Sequence, residues 1–570
     1  VTGLESARNG GGIMRRKYLV ALTALILTGG IVGTVTAGAQ TSQLGNVTFP
    51  TSGSEKAQAH FLRGLAALHS FWFEEALEAF RESTKVEPDF MMGYWGEAMS
   101  LNHPLWSEQD TEAARKVIEK IKDAPKLTQR ERAYLNAVKL LYGEGNKLAR
   151  DQAYCAAMEK IYREYPDDME AAAFYALSLL GTVRPEDRGY RRQALAGAIA
   201  LEVYRKNPNH PGAAHYIIHA FDDPDHAILA LPAAYRYAEI APEAHHARHM
   251  PSHIFLQLGM WPEAAKSNES SWATSDAWVK RKNLSISLRD YHSLHWLLYV
   301  YLQQGRYGKA NDLLTIMQKT MAESTSDDKL RPNYYANNWA NMAATFVVET
   351  EQWDLIAKLL PAGSSEASSG GMSHGATQPG QSATVRQSSA SQIQPVFVRG
   401  LAAAVKGSND ADAAIAVLRA LAGPVAEGYA GQPKKMLEIR QKEIAAVAAA
   451  SKGNYEEAIS AMKQATALEE DLAPPSGPPG LIKPSHELFG EILLKANRPK
   501  EASAEFATAL LRQPNRARSL LGAARSAAKA GDLKAASEFY SKFSRQWQNA
   551  DEGLPEVREA QDYLKQAKAN

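Results

Sequence analysis

The chain has 570 residues, 45% of them hydrophobic and 22% charged, and 64 Lys and Arg stand against 63 Asp and Glu for a formal charge of +1. That length suits several domains or an extended repeat array with ample core, and the balanced charge leaves no whole-molecule field to draw the chain to nucleic acid or an acidic membrane. The single cysteine, Cys155, excludes an internal disulfide framework, a cysteine-cluster zinc site and c-type haem attachment, so any metal must be held by histidine, carboxylate or amide.

The N-terminus reads as an export signal. Met14-Arg15-Arg16-Lys17 supplies the basic region, Tyr18 to Val35 the apolar stretch, and Ala37-Gly38-Ala39 a small-residue cleavage site. Residues 1–13 are expected to be an over-extended start and residues 1–39 a signal peptide, which makes the mature chain periplasmic or secreted. An uncleaved apolar segment would instead tether it to a membrane. No later segment is long and apolar enough to span a bilayer.

From Gln58 to Pro88 the chain carries Gly64, Phe73, Ala76, Phe80 and Pro88 in the order of a helix, a tight turn, a second helix and a stop. Gly490, Ala502, Phe506, Ala509 and Pro514 repeat that order. Ala536, with Gly531 before it, follows Ala502 at the same interval that separates Pro208 from Pro242, the prolines that close two consecutive units. Gly259-Met260-Trp261 with Ala264, Gly305-Arg306-Tyr307 with Ala310, and Gly453-Asn454-Tyr455 with Ala458 are further copies of the inter-helix turn. The pattern and its interval resemble the tetratricopeptide repeat, whose 34-residue unit buries small and aromatic residues between paired helices. The resemblance covers most of the mature chain and implies an all-α fold, an α-solenoid of helix-turn-helix repeats.

Residues 40–360 would form one array and 396–570 a second, separated by residues 361–395, a stretch rich in Ser, Gly, Gln and Ala that reads as a flexible linker. A Pro-rich run from Leu472 to Pro484 is a second loop, able to fold back over a groove.

In the family it resembles, the first helix of each unit lines the concave face through its second, fifth, ninth, twelfth and thirteenth residues. Counted from each turn glycine or closing proline, His215 and His219 become the fifth and ninth residues of one unit, and His249 and His253, one repeat length on, the same places of the next. His292 and His295 fall on second and fifth places, His69 and His103 on thirteenth places, and His246 on a second place. These nine of the 15 histidines lie on lining positions where random placement would put about two. His60, His210, His374 and His486 lie off the register and read as surface or loop residues.

Two histidines four apart stack on one helical face, and neighbouring helices about 8–10 Å apart let their imidazoles reach a shared ion. His215, His219, His249 and His253 are therefore the leading metal ligands, His292 and His295 come next, and His69 and His103 would close the ring. Pro251 places the helix start near Met250, with His249 at its mouth. Asp222, Asp223, Asp225 and His226 crowd the loop after His219; a solvated acidic turn is the favoured reading, supporting contacts to the ligands the other. Trp95 and Trp106 are expected to wall the pocket and Trp261 to pack in the core, and the segment from Ala265 to Asp290 runs about 12 residues longer than the repeat allows.

All-imidazole ligation suits copper or zinc, with iron a third candidate, for redox or hydrolytic chemistry. No phosphate loop, nucleophile elbow, dinucleotide fingerprint or His-Glu-x-x-His helix is present. Two classes fit: an exported metalloprotein, with enzymatic activity left open, and a scaffold that binds a peptide or partner protein in its groove, for which Asn338 and Asn341 would serve.

Overall fold

Small residues placed one helix apart let a single ring lock three helices together. Phe80 sits between Gly64 and Gly96, where an added Cβ would lie 2.9 and 2.2 Å from the ring, and Phe506 sits in the same way between Gly490 and Gly522, at 2.7 and 2.2 Å. Both phenylalanines are fully buried. The same wedge thus recurs near the two ends of the chain, as a repeat requires. Gly96→Ala is expected to overpack the first wedge and to lower the free energy of unfolding by about 1–3 kcal/mol, read by denaturant titration of the helical signal.

The computed structural model describes residues 43–184, 187, 189–323, 334–361, 381–422 and 432–569. The expected signal segment, His374 and residues 362–380 of the expected linker lie outside them. The rest of that linker, from Gln381, belongs to a helix, Gln381–Val405.

Helices α1 (Glu55–His69), α2 (Phe73–Val86), α3 (Met91–Met99), α4 (Thr111–Ile118), α5 (Gln129–Leu141), α6 (Lys147–Glu164), α7 (Met169–Gly181), α8 (Arg191–Lys206), α9 (Pro211–Ala220) and α10 (Ala227–Ile240) pack each on the next, apart from the α4–α5 step. A two-residue antiparallel pair, Asn102–His103 with Glu108–Gln109, flanks the turn at Pro104–Trp106. Next come α11 (His245–His249), α12 (Pro251–Gln257), α13 (Trp261–Lys282), α14 (Tyr291–Gln303), α15 (Tyr307–Glu323) and α16 (Tyr334–Thr350). Helices α7, α9 and α14 are buried over nearly all of their length, because each is flanked on several sides; this is why they lack an amphipathic stripe.

The extra residues after Ala265 lengthen α13 to 22 residues. Its added turns reach back to the first unit: Trp278 Nε1 donates to Glu75 at 2.9 Å, Trp278 packs on Trp72, and Lys282 bonds Glu75 and Glu78. The N-terminal array is thereby curled so that its first helices face units that follow much later in the chain.

The C-terminal helices, from Asp410–Ala422 to Pro555–Ala569, fold back on the first array. Trp261, buried as expected, donates to the Asn515 carbonyl at 2.9 Å, and Gly259 (φ +64°) and Gly305 (φ +68°) pack so close to Asn515 and Trp547 that a Cβ would lie 2.5 and 2.8 Å from them. Those two turns need glycine twice over, for the left-handed backbone and for the approach of the second array. Among the described residues no helix is long and apolar enough to cross a membrane.

Candidate metal centre

Helix α9 starts at Pro211, whose missing N–H costs nothing in a first turn, and is capped by His210, whose Nδ1 accepts from Ala213 N at 3.0 Å. One turn apart on this helix, His215 and His219 bring their Nε2 atoms to 3.0 Å. His215 is fully buried, and its Nδ1 donates to the carbonyl of His69 at 2.7 Å. A carbonyl only accepts, so the proton sits on Nδ1 and the lone pair on Nε2.

The second pair is arranged alike. Pro251 leaves the chain helical, because Met250 keeps right-handed helical angles (φ −54°, ψ −36°), so α11 and α12 run on as one ladder with a donor missing. His249 is therefore not at the mouth of a helix: a turn from His245 precedes it, and its Nε2 lies 3.2 Å from that of His253. His249 Nδ1 donates to Asn268 Oδ1 at 2.7 Å, and the amide is fixed in that sense because its Nδ2 donates to the Ala264 carbonyl at 2.9 Å. His253 Nδ1 donates to Asp222 at 2.6 Å. Both rings of this pair thus carry their proton on Nδ1 and aim unprotonated Nε2 atoms at each other.

A third histidine completes each pair. His246 of α11 joins His215 and His219, and His292 of α14 joins His249 and His253, the ligand atoms within each group lying no more than 4.8 Å apart. His246 Nε2 is buried with no hydrogen-bond partner, as expected of a nitrogen aimed into the site. Burial, reinforced by neighbouring imidazoles, holds His215, His219, His246 and His253 well below the usual imidazole range and pushes His249 down to about 4. At neutral pH these rings are uncharged, the state in which imidazole ligates.

Aromatic walls hold the rings. Trp296 lies 4.2 Å from His253 and 4.8 Å from His249, centroid to centroid, while Phe71 lies 4.3 Å from His215 and stacks on His219 and His246. Phe71 has φ +51° at a turn where other units place glycine, a strained position for a bulky residue and one that sequence reading passed over. Trp106, 45% exposed, edges onto His246 at 6.1 Å. Trp95 is no pocket wall: it is completely buried among Phe49, Phe61, Tyr134 and Phe174.

Other expected ligands fall elsewhere. His69 stands with Glu170 and His210 in a fully buried group whose geometry could take an ion. Every nitrogen there already has a partner, however. His69 Nε2 donates to Glu170 at 2.6 Å and His210 Nε2 at 3.2 Å, while Tyr216 OH donates to His69 Nδ1 at 2.8 Å. That network anchors the start of α9 and presents the His69 carbonyl to His215. His210 is thus a buried cap rather than a surface residue, and His486 is buried too, with Nδ1 donating to Glu505 at 2.7 Å. His103 stacks on Phe73 at 4.0 Å and pairs with Glu108, joining neither triad. His295 lines a separate cavity of about 180 Å³ with Tyr299, Asn341, Thr345, Pro478 and Pro479. Of the acidic turn, Asp223 binds His226 at 2.8 Å, and the side chain of Asp222, shielded from solvent and pushed up to about 7 by that burial, serves His253.

The Pro-rich loop reaches the same place. Gln257 Nε2 donates to Asp222 at 3.2 Å and to the Pro475 carbonyl at 2.7 Å, and Gly477 lies so close to Trp296 that a Cβ would stand 2.4 Å from the ring.

Residues 444–472 match the model of the tetratricopeptide repeat. Among solved structures the chain is similar to the P58(IPK) TPR domain (14% identity, 71% of this chain and 100% of that one, TM-score 0.21). It is also similar to an IFIT1 monomeric mutant with Gppp-AAAA (12% identity, 91% of each chain, TM-score 0.33) and to yeast Tom70 (11% identity, 90% and 89%, TM-score 0.27). No curated protein sequence matches.

Proposed function

On this α-solenoid of tetratricopeptide repeats, we propose that the concave-face histidines bind a transition metal, copper or zinc ahead of iron, in a protein exported from its cell. One observation carries the reading. His249 and His253 face each other through two lone-pair nitrogens 3.2 Å apart, with both Nδ1 protons committed to Asn268 and Asp222. Two such nitrogens repel unless a cation lies between them, and burial opposes a proton there. An ion about 2.0–2.1 Å from two nitrogens, at angles between right and tetrahedral, holds them about 2.8–3.4 Å apart. The partners on Nδ1 are the oxygen acceptors that orient imidazole ligands in metal sites.

The test is elemental analysis by plasma mass spectrometry on untagged chain recovered from the periplasm without chelators, beside the His219→Ala/His253→Ala double variant. Near-stoichiometric metal is expected in the parent and its loss in the variant, with helical content nearly unchanged. Full occupancy in the variant, or an empty parent after reconstitution, would overturn the reading. Asp222→Ala is expected to weaken metal retention about 10–100-fold in a chelator competition, because His253 loses the acceptor that fixes its proton on Nδ1. A peptide groove is the other use of such a concave face, but at Trp296 that face is taken by the chain's own loop.

A further inference from the structure

The two triads are copies of one another. His215 and His219 map onto His249 and His253 over one repeat length, and His246 maps onto His292 over the same length plus the lengthening of α13. Each therefore takes a one-turn pair from one unit and a single histidine from the start of the next. They also adjoin: His219 and His253 lie 5.9 Å apart by ring centroid, and His246 and His249 6.0 Å. Two ions held this way would share one space between α9, α11, α12 and α14.

The charge of that space selects the ions. Both triads are made of neutral imidazole with no carboxylate among the ligands. Asp222 bonds the far nitrogen of His253, and Asp290 sits behind the site, 3.5 Å from His245. The two carboxylates behind the rings would offset two dications side by side only in part, whereas two monocations at the same spacing repel about one quarter as strongly. Among metals suited to imidazole, copper offers a stable monocation, and three nitrogens leave each ion an open position toward its neighbour.

Building on the metal-binding reading, we propose that the two triads hold a pair of copper ions that together take up dioxygen between them. The electrons balance within the site. Each Cu(I) gives one electron and becomes Cu(II), and dioxygen receives both, losing its π bond, keeping its σ bond and becoming a dianion that bridges the two ions. No proton is consumed and no outside reductant is needed; release reverses the transfer. The incoming dianion supplies the negative charge that the ligands lack, so the site favours uptake of the bridging ligand together with oxidation.

The test uses the full mature chain, stripped of metal, loaded with Cu(I) under anaerobic conditions and then exposed to oxygen. Expected are two copper ions per chain, one dioxygen taken up per pair, a new intense near-ultraviolet absorption, and little copper visible by electron paramagnetic resonance, because the two Cu(II) spins couple through the bridge. His292 lies on the exposed side of its triad, so His292→Ala should fold normally by circular dichroism. It should keep one copper per chain, lose oxygen uptake and leave the remaining copper, once oxidised, fully visible to resonance. Two independent, fully visible Cu(II) ions in the parent, or one copper per chain, would overturn the pair while leaving metal binding intact. Failure of the parent to retain copper, zinc or iron at all would overturn both.

Discussion

Arg516→Ala is expected to lower the free energy of unfolding by about 3–5 kcal/mol, the cost of removing one partner from a buried ion cluster. The guanidinium is completely buried. It grips Glu487 with two bonds of 2.8 and 3.0 Å, meets Glu349 at 2.7 Å and donates to Tyr299 OH at 3.1 Å. Burial alone would raise the Glu487 carboxyl; the charges of Arg516 and Lys483 outweigh it and hold Glu487 below the usual carboxylate range. Without Arg516, Lys483 at 3.2 Å still serves Glu487, but Glu349 loses its cation. Tyr299 belongs to α14, Glu349 to α16, and Glu487 and Arg516 to the second array, so the cluster fastens the C-terminal helices to the units that carry His292 and Trp296. Denaturant unfolding followed by circular dichroism gives the magnitude. Hydrogen exchange should show lost protection in residues 485–530 and in α14 before the first units. A change below about 1 kcal/mol with unaltered exchange would mean that the arrays are held together elsewhere.

That cluster marks how far the sequence could be read. The repeat was legible because its signals are local: a turn glycine, an alanine shortly into the next helix and a phenylalanine one turn further on recur at fixed spacing, and one ring between two glycines is enough to fix a helix pair. The histidine pairs were legible for the same reason, since the fixed register of the repeat carries any side chain to the same face of the next unit. What was not legible depends on partners far away in the chain. Asp222 looked like part of a solvated turn until α12 placed His253 and Gln257 against it. His210 looked like a loop residue because its partner, Glu170, is 40 positions earlier. Trp95 reads as a pocket wall in the sequence, but α5 and α7 cover it, so it is core. His246 was placed on the concave face by register; its union with His215 and His219 needed the interhelix geometry. The Pro-rich loop was recognisable as a break in the helices and as able to fold back over a groove, and Gln257 with Trp296 is where it lands.

Acid should unfold the metal-free protein steeply, between about pH 6.5 and pH 4. His215, His249 and His253 are at most 8% exposed, and burial makes each resist protonation in the folded state, His249 down to about 4 and the other two well below the usual imidazole range. In the unfolded chain they protonate near pH 6.5. Their folded pKa values are depressed, so the unfolded state binds three more protons as pH falls through this window, and stability that is complete above pH 6.5 is progressively lost below it. Asp222 acts in the opposite direction: its carboxyl is raised to about 7 by burial, so from pH 7 down to about 4 the folded state holds one proton that the unfolded state lacks. Three protons against one leave a net slope of about 3 kcal/mol per pH unit. His219 and His246, also depressed, add to it with the same sign. Thermal unfolding of the apoprotein at closely spaced pH values measures the slope directly. A metal on the Nε2 atoms competes with the same protons, so the loaded protein should keep its stability to lower pH and then lose metal and fold together. The His219→Ala/His253→Ala variant has two fewer depressed histidines and should show the shallower profile of the pair, with or without metal present. Identical steep profiles in parent and variant would place the acid sensitivity outside the histidine triads.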